Sequence, residues 1–449
     1  MNQEEIQKAS SMAFLFVPMD LEGTGNAEEY DHFQKDLETS GIWILEDDQD
    51  KNRYIYRYIT DKMDVSRKEE CLYLHYHLRE EECRKRAWGT DGCVYRIPSA
   101  DIRFRISAVH LFAFRTRVSI AAVQVIFEKN DPKYVATGLY YLKKLQRVKL
   151  LRDTDEEEIE QAETLFDAVK GLFHSQMTGK LRFFPYLNEG TERANTMSLA
   201  YAVEGNDEKE DLYFLKNAYR TKGFVYNSNL DTEDENLFIS DDYIWGITGE
   251  NLACIILKRS EHIQNRFCHR FQDEYLLTYI LLLHRKFYLY KILTDFGIGE
   301  QNDLQTLKAY QKCLNSYQTD YAYERITEVP QYHRLYKKLE EKMELAELFA
   351  DVMEPVSELS SLRMEKAEAD RSEQDEKMEK ALAGLSFLAV FSALIDCSDY
   401  LEVVAGDMDI LLAKTWSAQL LAGVQTVFSV GIAAVAIWAL RGLLKRRKQ

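Results

Sequence analysis

The chain is short of positive charge, of paired cysteines and of glycine-rich loops, and each shortage removes a class of function. Lys and Arg number 57 against 74 Asp and Glu, a formal net charge of -17. A nucleic-acid binder needs cationic patches to displace the counterions of the phosphate backbone, so no nucleic-acid partner is expected. Seven cysteines, at positions 71, 83, 93, 254, 268, 313 and 397, are odd in number and form no CxxC pair, which fits a reducing compartment. No phosphate-cradling glycine-rich loop, GxSxG or HExxH occurs. Hydrolase and kinase chemistry therefore have no motif, and the chain is read as a non-enzyme without a bound cofactor. Early acids and a short apolar run from Met12 to Pro18 give no secretory signal.

What is present is enough for two or three domains: 449 residues, 46% of them apolar. Phe14–Val17, Ile42–Leu45, Tyr54–Ile59 and Cys71–His77 read as short strands rich in β-branched and aromatic residues. Ile106–Phe114 and Val118–Phe127 flank Arg115-Thr116-Arg117 as a hairpin. Pro132 to about Leu145 follows as an amphipathic helix, with Val135, Leu139 and Leu142 at helical spacing. Helices are expected at Glu156–Phe173 and Asp207–Ala218, and strands at Met197–Val203, Tyr243–Ile247 and Leu252–Leu257, the last two joined by a turn at Gly249-Glu250-Asn251. A long helix is expected from about Glu261 to Asp295, with Tyr275–Leu283 as its buried part. From Tyr332 to Lys380 the only proline is Pro355, which should end or kink a helix. After it, Val356–Ile395 reads as one helix, polar on every side through Lys380.

The C-terminal part contains the longest apolar runs. Leu420–Leu444 carries one charge, Arg441, near its end; about 21 residues before it would cover roughly 30 Å of hydrocarbon. Ala381–Ile395 is shorter and is extended through Asp396, Cys397, Ser398 and Asp399 to Val404. With the basic tail kept inside, the expectation is an α+β fold: a mixed α/β cytoplasmic domain over 1–330, a helical stalk over 331–380, a first transmembrane helix over 381–404, an external loop over 405–418, a second transmembrane helix over 419–444 and a basic tail over 445–449. Such a chain would lie in the plasma membrane, multi-pass, with both termini cytoplasmic and lipid as a partner.

This arrangement resembles the CorA-like family of divalent-cation channels, with moderate local support from the cadence of Phe112–Phe127 and Tyr275–Tyr288. The resemblance implies a homopentamer in which the stalk and first span line a pore, passing hydrated cations, with magnesium as a permeant or regulatory ion and gating through the cytoplasmic domain. The family's Gly-Met-Asn signature is missing; its expected place falls near Tyr400-Leu401-Glu402, and Gly406-Asp407-Met408 is only a superficial echo. The alternative reading is a membrane-anchored sensor or antiviral effector whose cytoplasmic domain binds a nucleotide or protein signal.

Several side chains carry these readings. Asp396, Asp399 and Glu402, at i, i+3 and i+6, fall near one helix face and would make carboxylate rings at an outer pore mouth, or else mark a wet boundary. Ser386 and Ser392 would face a pore or a neighbouring helix. The stalk acids, Asp370, Glu373 and Glu376 among them, form an electrostatic funnel in one reading and a solvated helix face in the other. Cys71, His75 and His77 share a strand face, and Cys268-His269 follows His262, but neither has a standard zinc spacing.

Overall fold

A computed structural model describes residues 10–22, 27–48, 52–67, 71–89, 91–144, 149–152, 163–173, 180–229, 231–260, 263–298 and 304–412. The chain divides into two compact units, Met1–Ser360 and Ser361–Gln449.

The first unit is built on a 13-stranded sheet. Its strands are β1 Met12–Leu21, β2 Trp43–Glu46, β3 Tyr73–Leu78, β4 Tyr95–Ile97, β5 Ile102–Phe114, β6 Val118–Phe127, β7 Lys149–Arg152, β8 Glu163–Thr164, β9 Leu181–Phe183, β10 Asn195–Tyr201, β11 Asn236–Ser240, β12 Tyr243–Ile247 and β13 Asn251–Ile256. The main order is β11-β12-β13-β10-β1-β6-β5-β4-β7-β8, with β2 on β3, β3 on β5 and β9 on β1. The β10–β13 pair is parallel, and its crossover contains a helix, as a parallel connection requires.

β1 shows why this sheet lies inside the domain. All ten of its residues are buried, because both faces are covered. Ala13, Leu15, Val17, Met19 and Leu21 enter one apolar core, and Met12, Phe14 and Phe16 enter the other. That strict alternation is the period-2 pleat dividing one strand between two layers. Pro18 lies mid-strand without breaking the sheet, since β1 pairs β10 over Met12–Phe16 and β9 from Met19, so its missing N–H falls in the gap between them.

Helices cover both faces. The first layer holds α1 Ala27–Ser40, α2 Pro132–Leu142 and α3 Glu208–Asn217. Asp131 caps α2, its carboxylate accepting from the Lys133 amide at 2.9 Å, and Asp207 caps α3 in the same way at 3.0 Å. The second layer holds α4 Leu276–Ile298, preceded by wider π turns at Ile263–Phe267 and Phe271–Tyr275, then α5 Leu304–Ser316 and α6 Pro330–Lys342. Tyr275–Leu283 is buried in the apolar core beneath the sheet.

Two local expectations are corrected. Tyr54–Ile59 is not a strand: Ile55 makes an isolated bridge with Thr327, and Arg57–Thr60 is a helical turn closed by hydrogen bonds back to the Tyr56 carbonyl. Pro355 does not end a helix either, because α7 runs unbroken from Leu345 to Leu412. Proline's fixed φ is compatible with helical backbone. Of the expected Glu156–Phe173 helix, residues 156–162 lie outside the described residues, and the remainder holds β8 and a short helix, Leu165–Lys170.

The larger correction concerns the membrane. Among the described residues no helix is long and apolar enough to cross one. This overturns the expected α+β fold with two C-terminal transmembrane helices, the multi-pass plasma-membrane placement and the reading as a transmembrane protein. The fold is mixed α/β on a large sheet. The apolar stretch Ala381–Ile395 would cover only about 22 Å, short of the roughly 30 Å hydrocarbon core. The extension that was to lengthen it carries Asp396 and Asp399. The expected second span, 419–444, and the tail, 445–449, lie outside the described residues, as does 413–418 of the expected external loop.

Candidate functional site

The expected pore residues all lie along one helix. Ser392, Asp396, Asp399 and Glu402 lie on α7, where the backbone alone is described. Ser386 is exposed. Asp370, Glu373 and Glu376 are exposed on the same helix, Glu373 pairing with Lys377 at 2.8 Å and Glu376 with Lys380 at 2.5 Å. The Lys380 hydrogen bond holds the Glu376 carboxyl below its ordinary value. Pairs at i, i+4 on an exposed face are what a solvated helix carries.

The cysteines and histidines set aside for want of a zinc spacing have other partners. Cys71 turns its thiol to the Asp64 carbonyl at 2.6 Å, and Cys268 shares a 3.5 Å contact with the Tyr201 hydroxyl. His262 lies outside the described residues. His75 instead joins a buried relay: its Nδ1 faces the Asp48 carboxylate at 2.9 Å, its Nε2 faces His110 Nδ1 at 3.1 Å, and Tyr73 donates to Asp48 at 3.1 Å. The His75 ring stacks on Phe112 with centroids 4.2 Å apart. Among the described residues no group of three or more ligating side chains is placed to hold a metal ion.

A cavity of about 430 Å³ opens elsewhere, at the sheet end where β10 and β13 begin. Three pieces of chain meet there. The C-terminal turn of α2 and the residues after it supply Tyr140, Lys143 and Lys144; the exit of α3 supplies Asn217, Ala218, Tyr219 and Phe224; and the β12–β13 turn supplies Thr248, Gly249, Glu250 and Asn251, with Arg193 at the entry to β10. Ala218 adopts the left-handed conformation at φ 48°, which turns the chain sharply off α3 and brings Tyr219 back over the cavity.

The polar floor is pre-organised. Lys143, nearly buried, donates to Glu250 at 2.6 Å and to Asn251 Oδ1 at 2.9 Å. Asn251 is itself fixed by Thr196 at 2.9 Å and by its own donation to the Lys216 carbonyl at 2.9 Å. Burial pushes the Lys143 ammonium below its usual pKa, although Glu250 opposes that shift. Burial alone would raise Glu250, but Lys143 takes it below the ordinary carboxylate value.

The walls are aromatic and cationic. Tyr219 and Phe224 stack at 4.3 Å with an interplanar angle of 11°, and Tyr140 meets Phe224 edge-on at 5.9 Å. Lys144 stands 3.7 Å over the Tyr140 ring and Arg220 stands 5.2 Å from it. The hydrogen bond from Lys144 holds the Tyr140 hydroxyl below its ordinary pKa. Arg193 adds positive charge felt by Tyr140, Lys143 and Glu250 together.

Two helix C-termini converge on this cavity, and their partial negative charge would by itself repel an anion. One lysine is also committed to Glu250. Lys144 and Arg193 remain as cations in excess at the lining, beside stacked rings, with Arg220 against the Tyr140 ring. That combination suits a ligand with both negative charge and a planar group.

The chain matches no protein-family model, no curated protein and no solved structure. The CorA-like resemblance therefore gains no family-level support, and function has to be argued from the cavity. The sequence reading missed it because its residues are spread from 140 to 251. The available signals were the adjacent Lys143-Lys144 closing an amphipathic helix in an acidic chain, and the Gly249-Glu250-Asn251 turn, read only as a connection.

Proposed function

We propose that the Met1–Ser360 unit is a ligand-sensing module whose cavity binds a phosphate-bearing nucleotide. The observation behind this is the grouping of Lys144 and Arg193 with Tyr140, Tyr219 and Phe224 in the cavity lining of a chain of net charge -17. An acidic surface repels anions, so a local cationic excess with aromatic walls is a selective feature. Guanidinium and ammonium groups suit phosphate oxygens, and the rings offer a face to a base. The volume lies within the roughly 300–1,000 Å³ range of small-molecule sites. Cation transport is not carried forward, since among the described residues no helix is long and apolar enough to cross a membrane.

Calorimetry with ATP, other nucleoside phosphates and inorganic phosphate tests the reading. Micromolar-to-millimolar binding of at least one nucleotide is expected, weaker binding of inorganic phosphate, and a loss of about 10-fold or more for Lys144→Ala combined with Arg193→Ala, each lost charge-assisted hydrogen bond costing about 1.5–3 kcal/mol. No binding by any nucleotide, or unchanged affinity in the folded double variant, sinks the proposal.

A further inference from the structure

The β12–β13 turn that lines the cavity also reaches the corner between α6 and α7. Gly249 lies so close to the end of α6 that a Cβ there would stand 2.9 Å from the Lys342 carbonyl oxygen. Lys342 is the last residue of α6, Met343 caps it, and α7 starts at Leu345. Between them Glu344 takes the left-handed conformation at φ 54°, a strained state for a residue with a side chain. Such strain persists only where neighbours hold it.

One of those neighbours is Lys286 of α4. Its ammonium donates to the Gly249 carbonyl at 3.0 Å. Burial lowers its pKa, while the charges of Glu250 and Glu344 both favour its protonated form and Lys143 opposes it. Glu250 and Glu344 also act together on Tyr290. Lys286, half-buried, thus feels both the acid at the cavity and the acid at the corner while its hydrogen bond holds the turn between them. Lys143 completes the set through its 2.6 Å contact with Glu250.

We propose that occupancy of the cavity is read out at the α6–α7 corner through the Gly249 peptide and Lys286. This rests on the cavity being an anion site. An anionic occupant draws Lys143 from Glu250; the Glu250 turn shifts, the Lys286 hydrogen bond to the Gly249 carbonyl is disturbed, and the turn bears on Lys342 beside the left-handed corner, which loosens. Gly249 makes the coupling mechanical as well as electrostatic, because the turn has no room to move toward Lys342.

Hydrogen exchange on the full chain, with ATP as the probe and calorimetry beside it, tests the coupling. Amides of Met343–Leu348 should exchange at least about 5-fold faster with saturating ATP, a change of about 1 kcal/mol in local opening. Lys286→Met should keep ATP affinity within about 3-fold and abolish that response. Should Lys286→Met not fold, Gly249→Ala serves instead: its Cβ pushes on Lys342, and the corner should exchange faster without ATP. ATP binding with unchanged or slower exchange at the corner overturns the coupling and leaves the cavity assignment standing. A Gly249→Ala corner that exchanges like the parent also overturns it. Absence of ATP binding removes the cavity assignment and this inference with it.

Discussion

Replacing Glu250 by Gln should tighten nucleotide binding, an outcome that general damage to the fold does not produce. Glu250 is the acid among the cavity's lining residues, and Lys143 spends its ammonium on it at 2.6 Å. Gln keeps the shape and an acceptor oxygen while removing the charge. At an effective dielectric near 20, two unit charges about 6 Å apart interact by about 3 kcal/mol. The Glu250 side chain is 53% exposed, so solvent and salt reduce that repulsion toward a bound phosphate to about 1 kcal/mol. The dissociation constant for ATP should therefore fall about 5-fold. The same change should lower stability without ligand by about 1–3 kcal/mol, because buried Lys143 keeps Asn251 but loses its counter-charge. Calorimetric titration beside urea denaturation separates the effects. Unchanged or weaker ATP affinity in a folded Glu250→Gln protein refutes the view that this carboxylate opposes an anion.

Other outcomes follow from groups away from the cavity. His284 is fully buried between Phe114, at 3.7 Å between centroids, and Tyr321, and burial, aided by Arg285, takes its pKa well below 6.5. Its folded form binds fewer protons than the unfolded chain, so its contribution to stability is complete above pH 6.5 and lost as pH falls below it. The slope is about 1.4 kcal/mol per pH unit, and denaturation of His284→Gln between pH 7 and 5 should lack it. Lys216 is wholly buried with Asp231 at 2.6 Å and Glu235 at 2.9 Å. Lys216→Met should cost about 3–5 kcal/mol in urea denaturation, since it strands carboxylates. Asp131→Ala removes the α2 cap and should cost about 1 kcal/mol, read in the same assay.

How far the chain could be read from its residues depended on the range of the interactions involved. The β5–β6 hairpin around Arg115-Thr116-Arg117, the α2 periodicity and the β12–β13 turn were all legible, because a pleat, a helical stripe and a tight turn are encoded within a few neighbouring positions. Tyr54–Ile59 misled because aromatic and β-branched content suits a strand, while here the segment meets Thr327 at one bridge and then turns. Ala381–Ile395 misled in another way: lengthened to Val404 it takes in Asp396 and Asp399, and by itself it is shorter than the hydrocarbon core is thick.

The sequence by itself determined the acidic charge, the unpaired cysteines, the alternation that buries both faces of β1 and the caps of α2 and α3. Only the tertiary structure decided that Lys143, Arg193, Tyr219 and Glu250 share one cavity, and that its turn abuts the α6–α7 corner. Parallel pairing of β10 with β13 joins segments about fifty residues apart, and α2 packs beside α3 over the same sheet. Local patterning specifies which face of each element is apolar. It does not specify which elements meet, because that choice is made by the free energy of burying all those faces together.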